Sequence, residues 1–125
     1  MQNNPVVWFE IYVQDMNRAR SFYESMLAVR PAKLESPIPG MEMWTFPAQE
    51  KEAGATGALI RMEGVPSGGN SVLVYFACAD CAVEAKRAAS SGGRIFKDKF
   101  SIGKHGFIAL VTDTEGNMVG LYSMQ

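Results

Sequence analysis

A strand, an aspartate and a helix follow one another twice in this 125-residue chain, and that internal repeat limits its architecture more than any single motif. Val6–Val13 (VVWFEIYV) is rich in β-branched and aromatic residues and reads as a strand. Asp15 behind it is a good N-cap. Ala19, Phe22, Tyr23, Met26 and Leu27 then recur at three- and four-residue steps, giving one apolar helical stripe that ends by about Arg30, ahead of Pro31. The unit restarts at Ser71–Ala79 (SVLVYFACA), followed by Asp80 as a second N-cap and an Ala-rich helix over 82–89 that Gly92 and Gly93 end. Strands are expected over 32–35, 41–46 and 57–62 in the first half and over 94–97, 107–112 and 118–122 in the second. Pro37–Gly40 reads as a turn and 49–55 as a polar loop. Asp113–Asn117 reads as a hairpin turn with Gly116 where a positive φ is wanted.

Each half therefore reads strand, helix, three strands. The expected fold class is α+β: a βαβββ module over residues 1–63, a Pro/Ser/Gly-rich linker over 64–70 (GVPSGGN) and a second βαβββ module over 71–125, together one domain. Residue identity between the halves is low, so the duplication rests on element order. An unrelated ferredoxin-like sandwich is the competing arrangement.

Composition narrows the function. Hydrophobic residues make up 47% of the chain, enough for a real core. A net charge of −1 argues against nucleic acid, which calls for a basic stripe. No apolar run approaches the ~20 residues that span a bilayer, and Met1–Pro5 lacks the features of a signal peptide, so the expected location is cytoplasmic. Cys78 and Cys81 are spaced as C-x-x-C. Without a second pair they make a zinc site improbable, and they are expected to be reduced, half-buried thiols.

The run Phe9-Glu10-Ile11-Tyr12-Val13-Gln14-Asp15-Met16, with Arg18-Ala19 and Ser21-Phe22-Tyr23 behind it, resembles the opening of the vicinal oxygen chelate superfamily. That group includes glyoxalase I, bleomycin-resistance proteins and extradiol dioxygenases. Asp113–Asn117 is similar to the turn before its last strand. The resemblance implies paired βαβββ modules, eight strands in an incomplete barrel around a cleft, and a homodimer. It also implies four cleft-facing metal-ligand positions, which fall here on Trp8, on Ala58 or Leu59, on Val74 and on Gly120. None offers a donor to a divalent ion, so no metal and no other cofactor is expected.

Alternation puts Val7, Phe9, Ile11 and Val13 on an apolar face expected to pack on a helix, and Trp8, Glu10 and Tyr12 on a partly wet one. The cleft is expected to be lined by Trp8, Glu10, Trp44, Phe46, Val74, Phe76, Phe107, Gly120 and Tyr122, and to take a small apolar or aromatic molecule. Gly120 marks a close approach to the backbone. Glu10 is the candidate acid or base, with Arg61 as the partner of a purely structural carboxylate. His105, between Gly103 and Gly106, is a weaker catalytic candidate. Arg18, Arg20, Lys86 and Arg87 read as solvated surface charges. Three functions stay open: a metal-independent binding protein, a glyoxalase-like lyase or isomerase using Glu10, and a structural or regulatory dimer whose cleft is filled by its own side chains.

Overall fold

A computed structural model describes residues 4–36, 38–49 and 52–125. Pro37 of the expected turn, Glu50 and Lys51 of the expected loop, and the first three residues lie outside it. The described residues form β1 (Phe9–Tyr12), α1 (Met16–Leu27), β2 (Ala32–Leu34), β3 (Met41–Thr45), β4 (Gly57–Met62), β5 (Tyr75–Ala77), α2 (Cys81–Ser90), β6 (Arg94–Ser101), β7 (Phe107–Thr112) and β8 (Met118–Ser123). A 3₁₀ turn, Gly103–His105, sits between β6 and β7. The strands make two four-stranded sheets of the same topology, β1-β4-β3-β2 and β5-β8-β7-β6. In each, the first strand runs parallel to the last and the other neighbours are antiparallel. The fold is thus α+β with a duplicated βαβββ order, and the two sheets do not close into a barrel.

Both helices begin as the sequence predicts. The Asp15 carboxylate accepts from Arg18 N–H at 3.0 Å, and that of Asp80 from Ala82 N–H at 3.0 Å. α1 ends on Ala28 in the left-handed region (φ 54°). α2 is followed by Gly92 at φ 96° and by Gly93, where a Cβ would lie 2.5 Å from the Phe22 ring of α1. The second glycine is required by close approach, not by φ.

One core unites both halves. Ile11, Val13, Phe22, Tyr23, Met26, Phe46 and Leu59 from the first half pack with Cys81, Ala85, Ala88, Ala109, Val111, Val119 and Leu121 from the second. Both helices therefore lie on one side of the sheets. A smaller cluster of Met43, Ala58 and Ile60, flanked by Tyr12 and Met41, sits on the opposite face of the first sheet.

Several expected boundaries shift. β1 and β5 are shorter than the apolar runs that announced them, because pairing begins only at Phe9↔Gly57 and Tyr75↔Gly120. Val7, expected on the helix face, is 79% exposed. β6 runs to Ser101 rather than Lys97, with irregular register against β7. Residues of the 64–70 segment are tied down: Ser67 Oγ donates to the Glu115 carbonyl, Gly68 N–H to Asn117 Oδ1, and Asn70 exchanges hydrogen bonds with the Met118 backbone.

The halves are locked together at the Asp113–Asn117 turn. Glu115 Oε1 accepts from Gln14 N–H (2.8 Å), Asp15 N–H (2.9 Å) and Arg18 Nη2 (3.0 Å), while Oε2 accepts from Arg18 Nε (2.7 Å) and Thr114 Oγ1 (2.9 Å). Arg18, read from sequence as a free surface charge, is the ion-pair partner of this buried carboxylate. Asp113 accepts from Tyr23 OH at 2.6 Å, and Asn117 donates to the Tyr12 carbonyl at 2.9 Å. Burial by itself would push the Glu115 pKa up, but the bonds from Arg18, Asp15, Gln14 and Thr114 outweigh it and hold it at about 2.

A carboxylate with a lowered native pKa contributes stability above its unfolded value and loses it as pH falls through the native one. The Glu115 contribution is therefore complete above about pH 4.5 and fades toward pH 2. Asp113, raised chiefly by burial, acts in the opposite sense. Glu115→Gln should lower the unfolding free energy at pH 7 by on the order of 3 kcal/mol. The difference between wild type and variant in urea titrations should shrink between pH 5 and pH 2; a pH-independent difference would show that the charge does not clasp the halves.

Candidate functional site

The face of each sheet opposite the helices is the natural place for a site, because no helix among the described residues layers over it. On β1, alternation sends Phe9 and Ile11 toward the helices and Trp8, Glu10 and Tyr12 the other way. Trp8 Nε1 donates to Glu10 Oε2 at 3.2 Å and Tyr12 OH to Glu10 Oε1 at 3.0 Å, so three side chains at i, i+2 and i+4 hold one another on an exposed surface. The hydrogen bond to Glu10, then burial, raises the Tyr12 pKa above its ordinary value of 10.0. Arg61, the expected partner of Glu10, instead donates to the Gln14 carbonyl at 3.2 Å.

Superposing the two N-caps, Asp15 and Asp80, sets Glu10 against Tyr75, Ile11 against Phe76 and Tyr12 against Ala77. The register agrees: Glu10 pairs with Ala58 and Tyr75 with Gly120, each in the strand parallel to its own. Tyr75 and Ala77, not Val74 and Phe76, therefore continue the helix-free face on β5. The side chain that comes close to Gly120 is Tyr75 of the same sheet: a Cβ on Gly120 would sit 2.3 Å from its ring. Trp8 and Tyr75 are 40% and 46% exposed. Tyr122 lies on this face, and its hydroxyl donates to the His105 carbonyl. Met41, Met43, Ile108 and Leu110 fall there too by register.

The model of the Glyoxalase/Bleomycin resistance protein/Dioxygenase superfamily matches residues 6–121, which span both βαβββ units. The chain belongs to this superfamily. Among curated proteins, the putative glyoxylase CFP32 of Mycobacterium tuberculosis is 28% identical over 115 residues, which is 92% of this chain and 42% of that protein. The chain thus spans about two fifths of the curated relatives it matches. Glyoxalase I from Zea mays superposes with TM-score 0.74 at 20% identity, covering 96% of this chain and 46% of the enzyme. TnmS3, an antibiotic binding protein from Streptomyces sp. CB03234, superposes with TM-score 0.71 at 20% identity, and 98% of each chain is covered.

In the superfamily frame, three of the ligand positions anticipated from sequence lie on the helix-free face: Trp8, Ala58 and Gly120. Leu59 packs on the helix side, which resolves the choice in favour of Ala58. The fourth moves by one residue, since the superposed N-caps set Leu73 rather than Val74 opposite Trp8. None of these side chains carries an oxygen, sulfur or imidazole donor, and the indole N–H of Trp8 is donor-only, so they do not fit a metal ion. Among the described residues, no three His, Cys, Asp or Glu side chains converge, and no helix is long and apolar enough to cross a membrane.

Four of the aromatic residues expected on the cleft side pack toward the helices. Trp44 lies under the Arg20 guanidinium at 3.5 Å and donates to Glu42 Oε2, while Phe46, Phe76 and Phe107 join the main core. The physical reason is register. Trp44 pairs with Leu59 and Phe76 with Leu121, both core residues, so all share the covered face. His105 stands exposed in the 3₁₀ turn, and no hydrogen bond links it to Glu10.

Two openings lie along the seam where β1 and β5 approach. One, of about 270 Å³, is bordered by Glu10, Ile11, Tyr12, Val74, Asn117, Met118 and the linker. The other, of about 360 Å³, is bordered by Tyr75, Phe76, Ala77, Phe9, Ala55 and Thr56, with Phe46, Leu27, Val29 and Glu84 behind them. The first six of the second set are the internal-repeat counterparts of the first set. Val74, Phe46 and Phe76 thus do border cavities, at the seam rather than on the sheet face. Sequence reasoning missed Tyr75 and Glu84; aligning the two N-caps before assigning parity would have exposed both.

Two measurements check this geometry. Glu10→Gln should bring Tyr12 titration back toward 10, followed by tyrosinate absorbance; an unchanged value would show that the Glu10 contact is not formed. Burial first, and then the charge of Glu84 and the thiol's hydrogen bond to that carboxylate, push the Cys78 thiol up to about 12. Alkylation of native Cys78 at pH 8 should therefore run roughly a thousandfold slower than that of an ordinary thiol.

Proposed function

We propose that the protein binds a small apolar or aromatic molecule, without a metal ion, on the helix-free faces of its two sheets, and that a second copy of the chain closes the cup. One observation carries the reading. The positions where a metal ligand would stand hold Trp8, Ala58, Leu73 and Gly120, and the surface around them offers exposed indole and phenol rings together with methionine and aliphatic side chains. Such a surface recognises a ligand by area and stacking. Glu10, with Trp8 and Tyr12 bonded to it, supplies one oriented polar group. A solvent-facing apolar sheet face is also costly to leave uncovered, which supports a homodimer. The antibiotic-binding protein TnmS3 matches over the whole chain and supports a binding role.

A second reading has a specific observation behind it. The Glu10 carboxylate is fixed by two donors on the exposed face, where it could serve as acid or base, and the superfamily relatives include glyoxalase I.

Purified protein should contain no stoichiometric Zn, Ni or Fe by elemental analysis; one equivalent per chain would overturn the metal-free reading. A thermal-shift screen should return aromatic or amphipathic binders, because a ligand selective for the native state raises its stability. Trp8→Ala should weaken those binders by about tenfold or more. Glu10→Gln should spare neutral ligands, and loss of a measured turnover in that variant would favour the enzyme reading. A broad library without a hit, together with a monomer in light scattering, would sink the proposal.

A further inference from the structure

We propose a soft-metal site on the helix-free face of the first sheet: the thioethers of Met41, Met43 and Met62 together hold one Cu(I) ion. Strand register brings the three side chains to one corner. Met41 pairs directly with Met62, and Met43, two residues along β3, pairs with Ile60, so all three project from the same side. By strand geometry the Cβ atoms of an opposed pair stand about 5 Å apart, and those of next neighbours on one face about 7 Å. A methionine sulfur lies two bonds beyond Cβ on freely turning torsions, so side chains from these positions can meet at one centre. Met43 is buried, and Met41 and Met62 are half-buried. Met41 and Met43 pack with Ala58, Ile60 and Tyr12. An ion can therefore enter from the open side and rest on an apolar floor.

The donor set decides which ion. A thioether is neutral and polarisable, and it selects Cu(I) over the harder divalent ions that oxygen and nitrogen ligands hold. The one carboxylate that β1–β4 carry on this face, Glu10, already accepts from Trp8 and Tyr12. Nothing in the fold calls for three methionines here, since Val and Ile suit a strand better. The second sheet shows as much. Because Ala58 corresponds to Gly120, the counterparts of Met41, Met43 and Met62 are Gly106, Ile108 and Met124. That corner keeps a single sulfur, and the Tyr122 hydroxyl lies 2.8 Å from it. The triad is a feature of one half only. Trp8, Ala58, Leu73 and Gly120 take no part in it, so it stands independently of the ligand reading above.

NMR of the methionine methyl groups tests the assignment, with Ag(I) as a redox-stable probe of the same thioether preference and Cu(I) under ascorbate as confirmation. Either ion should move the methyl signals of Met41, Met43 and Met62 and leave those of Met16 and Met26 in place. A chain carrying Cys78→Ala and Cys81→Ala, which removes the competing thiols, should still take up one equivalent. Met43→Leu, which keeps the apolar volume, should weaken Ag(I) binding to that chain by about tenfold or more. Met62→Leu should do the same from a half-buried position, and it decides alone if Met43→Leu does not fold. If the cysteine-free chain does not fold, the methyl shifts of the wild type decide. Shifts confined to the surroundings of Cys78 and Cys81, a folded cysteine-free chain that no longer binds silver, an equal response to Zn(II), or unaltered affinity in the folded leucine variants would each overturn the proposal.

Discussion

The relative placement of the two halves depends on one buried carboxylate. Glu115 comes from the last turn of the second half, yet it caps the backbone N–H groups of Gln14 and Asp15 at the end of the first strand and takes the Arg18 fork on the first helix. The two amides lie between β1 and α1, where neither a sheet partner nor a helical carbonyl serves them. A carboxylate with this many donors is stable without water, and a charge so placed cannot slide without losing several bonds together. Tyr23, Asp113 and Asn117 continue the same network into the core. The orientation of β1 against β5, and with it the shape of the seam, follows from that lock.

Duplication sets the plan, and divergence between the copies sets the chemistry. The two sheets share topology, and β1 pairs with β4 as β5 pairs with β8, so the residues of those strands have counterparts in the other half. The counterparts differ where they matter. Glu10 corresponds to Tyr75, Ala58 to Gly120, and Ala19 to Glu84. Tyr75 with Gly120 shows how such a change is accommodated: a bare backbone in β8 makes room for a ring in β5. The seam openings follow the same rule, one bordered by Glu10, Tyr12 and the polar loop, the other by phenylalanine rings and Glu84.

Most of the fold was legible because its signals are local. Asp15 and Asp80 cap helices as their side-chain chemistry requires, and Gly116 takes the positive φ that a tight turn demands. The positions Trp8 and Gly120 were also visible through the superfamily's spacing from Asp15 and Asp113, whereas the choice between Ala58 and Leu59 waited for the register of β4. The site was less legible. A one-residue slip in counting back from Asp80 reverses the face of a whole strand, and it moved Val74 and Phe76 to the wrong side. Trp44, Phe46 and Phe107 were assigned by aromatic character, which does not distinguish a core face from an open one.

The sequence by itself determined element order, the duplicated α+β plan and the superfamily, because each follows from short-range periodicity, capping and residue type. Only the tertiary structure decided which aromatic rings are core, that Arg18 and Glu115 join the halves, and that Tyr75 fills the space over Gly120. Those facts depend on contacts between residues about a hundred positions apart, or on the register of neighbouring strands. No local pattern encodes either, since the same residue types serve equally well on a wet face, in a core or at a seam.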